Sequence, residues 1–199
     1  MRTLTTSVLI LFACGMHASA DDTKLSSIFN GQDLSGWKTP KLTDCWIAKD
    51  GVLTVQSNKK KQGGILQTEK SYQDFIVEVE FKFGEGTIDS GIFIRNTKEQ
   101  IQIGISGSLK RDMTASPYIP GKGYPVEAKG VKELLKLNDW NRLRVRAVGN
   151  HYTSWLNGQE VMNYESASAA DKGPIGLQLH GGKTMVIHFR NLKAADVSK

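Results

Sequence analysis

Three short stretches of this sequence place amides, an arginine or a histidine at alternate positions between apolar residues. Gln100 and Gln102 alternate with Ile101, Ile103 and Ile105. Gln178 and His180 alternate with Leu177 and Leu179. Arg95 takes the parity opposite Ile92 and Ile94. Successive side chains of a strand point to opposite faces, so each stretch presents one polar and one apolar face. Amides, guanidinium and imidazole together supply donors and acceptors, which is what the hydroxyls of a sugar ring require. If the stretches are neighbours in one sheet, Arg95, Gln100, Gln102, Gln178 and His180 form a carbohydrate-binding surface. The plainer alternative is the solvated face that antiparallel sheets commonly have. Arg and Gln, in place of the Lys, Glu and Thr of a merely wet face, favour the sugar surface.

His180 is the candidate general base of this set, because imidazole as a group changes charge near neutral pH. A structural histidine held by the Gly181-Gly182 turn is the alternative, and the residues leave both open. His188, beside Arg190, reads as an outer-face residue. Glu78 and Glu80 share one face, as the paired carboxylates of a glycosidase do, but they fit an exposed strand better. No laminarinase-type Glu-x-Asp-x-x-Glu run occurs. Two histidines and a carboxylate at ligand spacing are absent too, so no metal ligands are assigned. Trp140 and Trp155 are expected in the core, given their apolar neighbours.

Strands must position these residues. Phe75, Val77, Val79, Phe81 and Phe83 alternate with Glu78, Glu80 and Lys82, the period of a half-buried strand. Further strands are predicted over 91–95, 100–105, 143–148, 152–156, 160–162, 175–180 and 185–189. Asp50-Gly51 and Asn157-Gly158 mark tight hairpins. A helix of about two turns is predicted over Val131–Leu137. Many short strands with regular turn signals define an all-β sandwich of two antiparallel sheets, with Phe75, Val77, Val79, Phe81, Leu143 and Val145 inside. Residues 106–138 break the pattern. They are rich in Gly, Pro and Lys, and a long irregular stretch in a compact domain reads as a loop over a site.

The chain has 199 residues and 20 glycines, suited to one domain with many turns. Arg2, the apolar run from Val8 to Ala13 and the small residues Ala18-Ser19-Ala20 read as a signal peptide over residues 1–20. Residues 21–199 then form a single β-sandwich domain, exported to the periplasm or secreted. Lipid anchoring at Cys14 is disfavoured by Phe12 in the cleavage box, and no later segment is long and apolar enough to span a membrane. Cleavage leaves Cys45 alone, so no internal disulfide forms and a buried, inert thiol is expected. The net charge is +6, but the lysines are dispersed and no nucleic-acid recognition motif is present.

The ordered set of motifs is specific. Ile28-Phe29-Asn30-Gly31-Gln32-Asp33-Leu34-Ser35-Gly36-Trp37 is followed by Gly63-Gly64-Ile65-Leu66, Asp89-Ser90-Gly91-Ile92-Phe93-Ile94-Arg95 and Asp139-Trp140-Asn141. Trp155-Leu156-Asn157-Gly158, Gly176-Leu177-Gln178-Leu179-His180-Gly181 and Phe189-Arg190-Asn191-Leu192 complete it. This series resembles the 3-keto-disaccharide hydrolase domain family over nearly all of residues 21–199. The resemblance implies a concanavalin A-like jelly-roll β-sandwich and a hydrolase or lyase cleaving glycosides whose sugar carries a ketone at carbon 3. That ketone acidifies the adjacent C2–H; a base removes the proton, the C1–O bond breaks by elimination, and water can add back. No cofactor is assigned, although a divalent metal can assist such chemistry. Family members often carry Glu-x-Gln where this chain has Gln100-Ile101-Gln102, and Gln-Asp-His-Gly where Leu179 takes the Asp place. An amide cannot serve as a carboxylate base. The alternative is therefore a non-catalytic, lectin-like glycan-binding module.

Overall fold

The computed structural model describes residues 23–38 and 40–197. The signal peptide read over residues 1–20 lies outside the described residues. Thirteen strands dominate the rest. β1 (Ser26–Ser27) precedes a 3-10 turn at Thr43–Cys45 and the hairpin of β2 (Trp46–Lys49) and β3 (Val52–Gln56). β4 (Gly64–Tyr72) and β5 (Phe75–Gly86) lead to β6 (Asp89–Ile94), β7 (Gln100–Gly104) and β8 (Pro117–Tyr118). After the short helix α1 (Val131–Leu134) come β9 (Asn141–Val148), β10 (His151–Leu156), β11 (Gln159–Glu165), β12 (Gly173–Leu179) and β13 (Met185–Asp196).

Two antiparallel sheets result. One runs β11-β10-β9-β5-β13-β3-β2, with β1 also paired to β13; the other runs β4-β12-β6-β7-β8. Sequence alternation dictates how they meet. Phe75, Val77, Val79 and Phe81 of β5 and Leu143 and Val145 of β9 are all buried. They pack in one core with Ile92, Ile101, Ile103, Leu177 and Leu179 of the smaller sheet. Burying each such side chain contributes about 1.5–3 kcal/mol, so the alternation fixes the inward face and the register with it. The outer face of the larger sheet carries cross-strand charge pairs. Glu78 lies opposite Arg144, and Glu80 opposite Arg142. Glu80 also accepts from Arg190 at 2.6 Å.

The turns follow the residues. Asp50-Gly51 and Asn157-Gly158 both have positive φ at each position, the geometry of a two-residue hairpin turn whose twist matches its strands. Two expectations need correction. Trp140 and Trp155 are half-buried, whereas Trp37 and Trp46 are in the core. Trp155 has the opposite parity to the core residues Tyr152 and Leu156, and Trp140 precedes the start of β9 and stacks under the Arg190 guanidinium at 4.1 Å. The helix is one turn, Val131–Leu134, because Leu135 is already extended and Gly130 gives no side-chain cap. Cys45 is a free, buried thiol, and burial, with the nearby Asp44 charge, pushes its pKa up.

Candidate active site

β12, β6 and β7 are neighbours in the smaller sheet, so the polar faces expected from parity do share one surface. Above it lies a cavity of about 680 Å³. Gln100, Gln102, Gln178 and His180 all line it, with Asp89 and Lys183. Ser106, Gly107, Tyr118 and Tyr124 close over it from the long loop. Tyr118 and Tyr124 meet edge to face, with ring centroids 5.4 Å apart, a rigid apolar wall beside the polar floor. Burial pushes the Tyr124 hydroxyl above its ordinary pKa.

The floor is a directed hydrogen-bond relay. An ionised carboxylate only accepts, so Gln102 must turn its amide NH2 to Asp89, and Nε2 donates to Oδ1 at 2.9 Å. That leaves the Gln102 oxygen facing Gln100, whose Nε2 donates to it at 3.0 Å. The Gln100 oxygen is thereby turned away from Gln102, over Gly91, where a Cβ would stand 2.9 Å from it. Gln100 Oε1 and Gln178 Oε1 are buried and meet no protein donor. Buried acceptors of this kind are costly unless something satisfies them, and sugar hydroxyls are suitable donors.

Asp89 also anchors the charged end. Its Oδ2 accepts from Lys183 Nζ at 2.6 Å, and His180 Nε2 lies 3.8 Å from the same oxygen. His180 Nδ1 is 2.6 Å from the Gly181 carbonyl oxygen. A carbonyl oxygen only accepts, so Nδ1 carries the hydrogen and Nε2 of the neutral ring holds the lone pair. The turn therefore orients His180 without consuming its basic nitrogen, and the structural and chemical readings of this residue are compatible.

Arg95 is a correction. Its guanidinium does not line the cavity. It is buried and donates to the carbonyl oxygens of Gln73, Ala147, Gly149 and Ala170, with Asp74 3.3 Å away. Parity fails there because β6 ends at Ile94 and Arg95 itself has φ of 61°. Strand alternation does not pass through a left-handed residue. Asp89 and Lys183 were not anticipated. Asp89 sits at the head of a strand among turn residues, and its partners are 13 and 94 positions away, beyond the range of local pattern.

The donor set does not fit a divalent cation. Among the described residues, no three His, Cys, Asp or Glu side chains converge. Asp89 Oδ2 already carries the Lys183 ammonium, and Gln100 and Gln102 bring amides where hard cations favour carboxylates.

An antiparallel sandwich with this polar, roofed cavity on one sheet is a concanavalin A-like jelly roll. The chain belongs to the 3-keto-disaccharide hydrolase family: the model of the 3-keto-alpha-glucoside-1,2-lyase-like domain matches residues 24–195. A candidate glycosyl hydrolase of Parabacteroides distasonis ATCC 8503 is similar at 20% identity, covering 87% of this chain and 94% of that one, with a TM-score of 0.65. The carbohydrate recognition domain of Emp47p is similar at 15% identity over 90% of this chain and 100% of that one, with a TM-score of 0.59. The carbohydrate binding module CBM66 of Bacillus subtilis gives 15%, 83% and 98%, with a TM-score of 0.54. At these identities the likeness is one of fold. No curated protein matches the chain.

Proposed function

We propose that this protein is an exported, carbohydrate-active hydrolase or lyase that cleaves 3-keto-glycosides, with His180 as base and Gln100, Gln102 and Gln178 holding the sugar. Family membership supports the substrate class. The observation that carries the chemistry is the position of His180 Nε2, its Nδ1 held by the Gly181 carbonyl, at the charged end of a cavity floored by Gln100, Gln102 and Gln178. His180 removes the C2 proton, which the neighbouring ketone has made acidic. The electron pair then forms the C1–C2 double bond as the aglycone oxygen leaves C1. The departing oxygen takes the proton back from the imidazolium. The part of the long loop that lines the cavity, from Ser106 to Tyr124, limits water, so the elimination product is released as such or hydrated in place. The reading of residues 1–20 as a signal peptide supports a substrate met in the periplasm or medium.

Incubation with a 3-keto-glucoside and with its unoxidised parent tests the proposal. Aglycone release from the keto sugar alone is expected. Tight binding of both sugars with no release would make the site a lectin-like module instead.

A further inference from the structure

Lys183 is placed to do more than neutralise Asp89. A Cβ built on Gly107 would lie 3.1 Å from Asp89 Oδ2, 3.6 Å from Lys183 Nζ and 3.8 Å from His180 Nε2. These three groups therefore border one small space under the roof, kept open because Gly107 has no side chain. Lys183 is three residues beyond His180, across the Gly181-Gly182 turn. One turn thus carries both the base and a cation. The side chain of Lys183 is 19% exposed and that of Asp89 3%, so the ammonium is aimed by a buried partner and not free in solvent. An ammonium has three N–H donors and no acceptor. One is taken by Asp89, which leaves others for a ligand.

In a 3-keto sugar the carbon that loses its proton and the carbonyl that receives the electrons are adjacent. A base and a cation bordering the same space can serve both at once. We propose that Lys183 is a catalytic residue that donates to the C3 oxygen and stabilises the enolate, a role that rests on the 3-keto-glycoside reading above. As His180 takes the C2 proton, the C–H electron pair forms a C2–C3 double bond and the carbonyl π pair moves onto the C3 oxygen. The Lys183 ammonium meets that oxyanion. The carbonyl then reforms, the pair moves to C1–C2, and the C1–O bond breaks, with the proton passing from imidazolium to the leaving oxygen. Electrons and protons balance without any oxidant or reductant. A donor-only group suits a carbonyl or enolate oxygen, which only accepts.

The test is C2–H exchange of a 3-keto-glucoside in D2O, followed by NMR, for the wild type, Lys183→Met and the double variant Lys183→Met/Asp89→Asn. The double variant removes the carboxylate that the single change strands. Loss of one preorganised oxyanion donor lowers turnover by about 10²–10³-fold. Exchange in both variants should fall by that factor, while the double variant loses affinity for the unoxidised parent by no more than the roughly 2–13-fold that one floor hydrogen bond is worth. Recovery of wild-type exchange in the double variant would show that Lys183 only balances Asp89, and would overturn the role. Wild-type exchange persisting in Lys183→Met would do the same. Absence of both exchange and aglycone release in the wild type would instead overturn the 3-keto-glycoside reading, and this role with it.

Discussion

Asp89 fixes which way the Gln100 amide faces, acting through Gln102. Gln102 donates to Asp89 at 2.9 Å and accepts from Gln100 at 3.0 Å, so one acceptor-only carboxylate orders two amides in series. An amide at position 89 presents either an oxygen or an NH2, and the order is lost. Asp89→Asn should weaken binding of a 3-keto-glucoside by about 0.5–1.5 kcal/mol through this floor, the usual net worth of one hydrogen bond. Titration calorimetry measures it. Unchanged affinity would mean that the Gln100 oxygen contacts no sugar.

Gly107 should be sensitive to the smallest substitution. A methyl there stands 3.1 Å from Asp89 Oδ2, tight enough to push on the ion pair while leaving the backbone unstrained. Gly107→Ala is expected to lower turnover of a keto sugar several-fold with little change in Tm. A drop in Tm without loss of turnover would contradict it.

Arg95 should behave as a structural residue. It joins the end of β6 to the turns at Gln73 and Gly149 and to the segment at Ala170. Removing one partner of a buried ion pair costs about 3–5 kcal/mol. Arg95→Ala should destabilise by about that amount in chemical denaturation. Variants that fold should bind sugar as the wild type does. Lost binding at full stability would return Arg95 to the sugar site.

Much of this arrangement is readable from alternation alone. Val77 and Val79 against Glu78 and Glu80, Ile101 and Ile103 against Gln102, and Leu177 and Leu179 against Gln178 each announce their faces, because strand geometry is local. Arg95 is misread because it lies just outside β6, where parity no longer applies, and Trp140, placed by its apolar neighbours, instead meets the Arg190 guanidinium. Asp89 and Lys183 meet only when β6 and the turn after β12 are brought together, and no local pattern encodes that meeting.

The buried Glu99 carboxylate makes an alkaline prediction. It accepts from Tyr152 at 2.7 Å, Ser166 at 3.0 Å and Ser168 at 2.6 Å. Burial first, then the hydrogen bond to Glu99, raises the Tyr152 pKa far above its ordinary value of 10.0. The folded protein keeps this proton where the unfolded chain loses it. Its contribution to stability is therefore complete below pH 10 and is lost as pH rises toward the folded value. Tyrosinate absorbance should show native Tyr152 silent near pH 10, with wild type and Tyr152→Phe titrating alike until they unfold. A missing native step in Tyr152→Phe would contradict the burial.

The most direct measurement of the catalytic proposal is the rate of aglycone release from a 3-keto-glucoside by wild type and His180→Ala, alongside the unoxidised parent. A positioned general base contributes about 10²–10⁴-fold. The wild type should cleave the keto sugar and leave the parent intact, and His180→Ala should be slower by that factor. Full activity in His180→Ala, or equal cleavage of both sugars by the wild type, would contradict it.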